Sequence, residues 1–205
     1  MYIPKINRIR DQQEILNFIR ANSFGILVNM TDQFPVATHI PMELIEDKNG
    51  EWLVQCHMAK ANLHWKSIEK NNNTLVIFNG PHSYISSSWY DSVSVPTWNY
   101  MAVHLYGKSR VMESDLLKEL LEKQIDTYEL NRANPMKITD YEDGLIDKMM
   151  HSIVGIEILI EDVQAKYKLS QNKSENDTNN VIHQLEKSDH PSDNKVAEEM
   201  KKLKK

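Results

Sequence analysis

A single cysteine, Cys56, leaves no partner for an internal disulfide, so nothing ties this chain to an oxidising compartment. No apolar run approaches the roughly 20 residues that a membrane span requires. The opening Met1-Tyr2-Ile3-Pro4-Lys5-Ile6-Asn7 lacks the apolar block and small-residue cleavage site of a secretory signal. The expected location is the cytoplasm, with no membrane partner. Basic excess is missing too: 24 Lys and Arg stand against 29 Asp and Glu, a net charge of −5. A dedicated DNA-binding domain neutralises phosphates with a cationic surplus, so direct DNA binding is not expected here. A small anion remains within reach, because one lysine and a few backbone amides can hold one phosphate. No Walker loop, Gly-rich dinucleotide loop or Ser-His-Asp arrangement is present.

What the chain does contain is strand after strand. Asp11 to Asn22 reads as a short amphipathic helix with Ile15, Leu16, Phe18 and Ile19 on one side. Strands follow at Phe24–Met30, Pro35–Leu44 and Glu51–Met58, with Asn49-Gly50 as a hairpin turn because that pair accepts positive φ cheaply. Lys60–Lys70 reads as a helix and Thr74–Phe78 as a buried strand turned by Asn79-Gly80-Pro81. His82–Tyr90 and Trp98–Met112 look extended. Ser114, as N-cap, opens a helix to Tyr128 with Leu116, Leu117, Leu120, Leu121 and Ile125 on its apolar face. Another helix is expected over Asp140–His151, then strand over Ile153–Val163 and onward to Leu169. Val181–Leu185 reads as a short docked helix. The segment 187–205 is so charged that a disordered tail is expected, leaving 1–186 as the main domain. Many strands with few helices between them give an α+β, mainly β class, a barrel with antiparallel pairing and flanking helices.

Three stretches carry more polar and aromatic residues than a barrel core needs. In His57-Met58-Ala59-Lys60-Ala61-Asn62 a strand passes into a helix, where free N–H groups and the helix dipole favour an anion. Lys60 and Asn62 sit there as phosphate candidates; the alternative is that Asn62 only caps the helix and Lys60 is solvated. Gly80 to Tyr90 offers Ser83, Ser86, Ser87, Ser88, Tyr84 and Trp89, a hydrogen-bonding and stacking surface. Val95 to Gly107 adds Trp98, Asn99 and Tyr100, rings that suit a planar ligand or a subunit interface. Five histidines, 39, 57, 64, 82 and 104, fall in the barrel without a zinc spacing. Cys56 and His57 make a poor catalytic pair, since neighbouring strand residues point to opposite faces.

Together with Met1-Tyr2-Ile3-Pro4, Ala37-Thr38-His39-Ile40-Pro41, Val95-Pro96-Thr97-Trp98-Asn99-Tyr100 and Lys168-Leu169-Ser170-Gln171-Asn172-Lys173-Ser174, these stretches resemble the PaiB family of FMN-binding negative transcriptional regulators. The matches run in order from residue 1 to about 186, with 187–205 outside. The resemblance implies an FMN-binding split β-barrel related to pyridoxamine-phosphate oxidase, a homodimer with flavin in a groove between subunits. It also implies negative regulation of transcription linked to protease production and sporulation. It makes Lys60 and Asn62 the phosphate candidates, Ser86 and Ser87 the second choices, and Trp89, Trp98 and Asn99 further cofactor contacts. Leu63 and Ser87 stand where the family pattern has Pro, Lys173 where it has Arg, and Thr178 where Asp-Arg would continue. Two other readings stay open at this stage: a flavin-dependent oxidoreductase acting on a small molecule, and a haem-binding or haem-degrading split barrel.

Overall fold

The computed structural model describes residues 1–142 and 144–203. Strands β1 (Arg8–Ile9), β2 (Phe24–Met30), β3 (Pro35–Glu46), β4 (Trp52–Ala59), β5 (Asn73–Ile85), β6 (Thr97–Val111) and β7 (Ile153–Lys168) hydrogen-bond in the order β1-β7-β4-β3-β2-β5-β6. A further β7–β6 pairing brings the last strand of that order back to its second, which closes the sheet into a barrel. Every strand pair whose register is defined is antiparallel. The helices are α1 (Gln12–Ala21), α2 (His64–Lys70), α3 (Ser114–Glu129), α4 (Leu145–Met150), α5 (Glu175–Glu186) and α6 (Pro191–Lys202).

The chain forms two compact units, each of which draws on the long strands β5, β6 and β7. One unit comprises residues 19–78 and 105–163. Strand β2 alternates there, with Gly25, Leu27 and Asn29 inward and Phe24, Ile26, Val28 and Met30 on the other side. The β3–β4 hairpin turns where Asn49-Gly50 predicts it. Gly50 adopts φ 82°, and Asp47 Oδ1 accepts from the backbone N–H of Asn49 and Glu51. Strand β7 is buried on both faces from Val154 to Ile158, a run that alternation alone does not predict. The reason is α3: Leu117 and Leu120 pack with Met112 over the outer face, so close that a methyl on Gly155 would meet Leu117 and Met112 at 3.1 Å. Helix α3 begins at Ser114 with Glu113 in the N-cap position, one residue before the expected cap. The helix expected over 140–151 is instead a 3₁₀ turn at Ile138–Asp140 and α4, separated at Gly144 with φ 77°.

The other unit comprises 1–18, 79–104 and 164–205, of which 164–203 are described from Gln164 onward. Two expectations fail within it. The turn at Asn79-Gly80-Pro81 does not form, and β5 runs through to Ile85. Gly80 serves close approach rather than turning, since a Cβ there would lie 2.6 Å from the Phe18 ring. Pro81 costs no ladder bond to β2, whose register with β5 ends at Ile77. Of the segment 187–205, expected as a disordered tail, Pro191–Lys202 form α6, with Pro191 in its first turn and Val196, Ala197 and Met200 buried against the rest of the unit; residues 204 and 205 lie outside the described residues. Val196 and Met200 lie four residues apart on one face, so a charged helix still presents an apolar stripe. Helix α5 is longer than the expected Val181–Leu185, and Ser174 caps it by accepting from the Asp177 N–H.

Candidate functional site

The strand-to-helix junction is built differently from its expectation. Helix α2 starts only at His64 and is seven residues long, so Lys60 and Asn62 precede it in a turn rather than occupying its first turn. Strand β4 ends because Lys60 N–H donates to Ser152 O at 2.8 Å and Asn62 N–H folds back to Ala59 O at 2.9 Å. Asn62 Oδ1 then accepts the His64 N–H at 3.1 Å, which is the capping role weighed against a phosphate contact. The two residues line separate cavities. Asn62 faces one of about 420 Å³ with Thr31, Thr38, His64 and Ser67. Lys60 lines one of about 570 Å³ with Ser114, Lys118 and His151, and with Asp115 and Asp147. Among the described residues Lys60 makes no ion pair.

Behind Asn62 lies a hydrogen-bond chain that spacing did not reveal. Asn29 Nδ2 donates to Asn73 O at 3.0 Å and to Thr74 Oγ1 at 2.7 Å, which leaves its Oδ1 as the acceptor for His64 Nε2 at 3.1 Å. His64 therefore carries its proton on Nε2, and Nδ1 accepts from Thr38 Oγ1 at 2.8 Å. Thr38 Oγ1 in turn accepts from Asn62 Nδ2 at 3.1 Å. The chain orients the Asn62 amide through a neutral imidazole. Burial holds the His64 pKa below its usual value. The folded state thus resists a proton that the unfolded chain accepts near pH 6.5. This stability is present above that pH and is lost as pH falls through the lower folded value. Thermal melts between pH 8 and pH 5 should show a steeper loss for the natural chain than for His64→Gln. Equal slopes would mean that His64 contributes no such linkage. Burial also pushes the Cys56 thiol up to about 12, so it stays protonated and is no nucleophile.

The remaining candidates, Ser86, Ser87, Trp89, Trp98 and Asn99, all belong to the other unit. Ser86 caps the 3₁₀ turn Ser87–Trp89, accepting from Ser88 N–H at 3.2 Å and pairing with its hydroxyl at 2.8 Å. Trp98 is 53% exposed, and Tyr84 meets its ring edge-on at 5.9 Å with His82 at 6.2 Å on a tilt. Asn99 is fully buried; its Nδ2 donates to Ser170 Oγ at 3.0 Å and Met200 Sδ at 3.5 Å. Those bonds tie the amide to Ser170 and to Met200 of α6. The same unit holds three lysines, Lys166, Lys168 and Lys173, of which the sequence reading marked only Lys173, as standing where the family pattern has Arg. The i, i+2 spacing of the first two on a strand, which puts them on one face, was the available signal.

The closed antiparallel barrel has α+β, mainly β architecture, and together with the family match it makes this an FMN-binding split-barrel protein. The chain belongs to the family described as "Putative FMN-binding domain", which matches residues 1–162. FMN is the cofactor of that family. The chain is 44% identical over 206 residues to the "Protease synthase and sporulation protein PAI 2" of Bacillus subtilis, covering all of this chain and 99% of that one. This extends the resemblance through residues 187–205, which the motif matches had left outside. An uncharacterised protein of Emericella nidulans is 29% identical, covering 91% of this chain and 90% of its own. Among solved structures, the flavocytochrome Anf3 of Azotobacter vinelandii matches with a TM-score of 0.60 at 15% identity, covering 81% of this chain and 72% of that one. The FAD- and heme-binding protein of Mycobacterium smegmatis gives 0.58 at 12%, covering 79% and 73%. These likenesses share the fold. No helix among the described residues is long and apolar enough to cross a membrane.

Proposed function

We propose that the chain binds FMN and that Lys60 holds its phosphate. The observation that carries this is the Lys60 ammonium, free of any ion pair among the described residues, on a cavity it shares with Lys118 and His151. Asn62, on a separate cavity, is engaged by Thr38 and by the His64 N–H, and Lys60 acts without it. Bound flavin supplies reversible electron transfer. The chain's own residues bind and orient it.

The protein acts in the cytoplasm as a negative regulator of transcription, the role its PaiB resemblance implies; its Bacillus subtilis relative is named for protease synthesis and sporulation. Regulation is indirect, since a net charge of −5 opposes approach to a polyanion. It works as a homodimer. The support is the row of exposed apolar residues on β2 and the β2–β3 turn, Phe24, Met30 and Phe34, flanked by half-buried Ile26 and Val28.

FMN at about 100-fold over its dissociation constant should stabilise the fold by roughly 2.7 kcal/mol. Lys60→Ala should weaken FMN by about 1.5–3 kcal/mol, the worth of a charge-assisted contact, and leave riboflavin nearly unchanged. Equal losses for both ligands in calorimetric titrations would assign Lys60 a structural role instead.

A further inference from the structure

Three ammonium groups converge in the unit that carries Trp98, and none of them pairs with a carboxylate among the described residues. Lys166 Nζ donates to Tyr2 O at 3.2 Å and lies over the rings of Tyr100 and Tyr2, 5.0 and 5.8 Å from their centroids. Lys168 Nζ donates to Thr97 Oγ1 and, at 2.6 Å, to Trp98 O. Lys173 Nζ donates to Ser94 Oγ at 2.6 Å and lies 4.2 Å from the Tyr90 ring centroid. Every partner is a neutral oxygen or a ring face. The acids nearby are turned elsewhere: Asp177 accepts from the Asp91 N–H, and Asp91 accepts from the side-chain amides of Asn176 and Asn180. Like charges fixed on neutral anchors repel one another, and the Lys168 pKa is lowered first by burial and then by Lys166 and Lys173. An anion placed among them removes that repulsion. Structural lysines seldom need such an arrangement, because a surface lysine can swing away into water. These are held by their acceptors instead.

The second observation is the surface beside them. The carbonyl that fixes Lys168 belongs to Trp98 itself, whose ring is half exposed and braced by Tyr84, also half exposed, and by His82. A flat aromatic group is held by stacking on such a ring. Cations next to an open aromatic platform match a phosphate ester joined to a planar base.

We propose that Lys166, Lys168 and Lys173, with Trp98 and Tyr84, form a phosphate-binding site for a nucleotide. The phosphate comes either from the flavin nucleotide itself or from a second nucleotide, and the two sources separate by experiment.

Titration calorimetry on the full chain tests this with two matched pairs, FMN against riboflavin and AMP against adenosine. In Lys168→Gln/Lys173→Gln, the phosphorylated member of at least one pair should weaken tenfold or more while its unphosphorylated partner keeps its affinity. Loss confined to FMN identifies the flavin's own phosphate; loss of AMP identifies a second nucleotide. Lys173→Arg should retain or tighten binding, since a guanidinium offers two parallel donors to a phosphate. If the double variant melts more than a few degrees below the natural chain, the single variants Lys168→Gln and Lys173→Gln carry the same test. The site is refuted if FMN and AMP both stay within twofold of their natural affinities, or if riboflavin and adenosine weaken as much as their phosphates. A chain that binds AMP through these lysines but no FMN would overturn the flavin assignment and leave this site standing. FMN lost only in Lys60→Ala would do the reverse.

Discussion

Truncation of the chain after Lys187 should unfold it, or lower its stability by several kcal/mol. Val196 and Met200 are almost fully buried, and each such side chain contributes about 1.5–3 kcal/mol on burial. Together that is roughly 3–6 kcal/mol against a typical net stability of about 5–15 kcal/mol. The deletion also removes polar partners. Ser192 Oγ donates to His82 O at 2.6 Å and accepts the His82 N–H at 3.1 Å, and Met200 Sδ accepts from buried Asn99. Val181 and Leu185, both fully buried on α5, would lose the helix that packs on them. Met200→Ala alone should cost about 2–5 kcal/mol, the range for emptying a core position. Urea unfolding of the three proteins decides the matter. A truncated chain as stable as the intact one would mean that α6 only rests on the surface.

Gly107→Ala should be still more damaging for a single methyl, with a cost above about 4 kcal/mol. A Cβ at Gly107 would be driven into the carbonyl oxygen of Leu159, with Ile160 Cα only 3.1 Å away. The obstacle is backbone of β7, so no side chain can swing aside, and β6 and β7 are the pair that closes the barrel. Gly80→Ala meets a ring instead, and Phe18 can tilt at a smaller cost. Gly144→Ala is the informative control. Its φ of 77° is strained for alanine by about 1–2 kcal/mol, yet nothing lies within 4 Å of the new methyl. Denaturation midpoints should therefore rank Gly144→Ala mild and Gly107→Ala severe. The reverse order would show that conformational freedom, not close approach, is what Gly107 supplies.

The candidate site was legible in kinds of residue rather than in their arrangement. The stretch around Lys60 announced itself because a lysine and an asparagine follow a strand that runs into a helix. Local spacing could not tell that Ser152, far along the chain, takes the Lys60 N–H and that the helix starts only at His64. Asn99 read as a ligand contact because it lies among exposed aromatics; only the position of Ser170 and Met200 turns it inward.

By itself the sequence determined the mainly β barrel, the Asn49-Gly50 hairpin, the apolar face of α3 and membership of an FMN-binding family. Each rests on short-range rules: a period of two in strands, a positive φ at Gly50, leucines three and four residues apart, and motifs in a fixed order. The tertiary structure alone decided what depends on distant partners. Helix α6 is ordered because α5 offers an apolar surface for Val196 and Met200, although its composition suggests a solvated tail. Strand β5 passes through Gly80-Pro81 because Phe18 fills the space above the glycine. Lys166, Lys168 and Lys173 become one cluster because β7 and the turn after it bring their ammonium groups to acceptors on residues 2, 94, 97 and 98. Charge and burial act through space, and chain order alone does not specify which remote side chain will share that space.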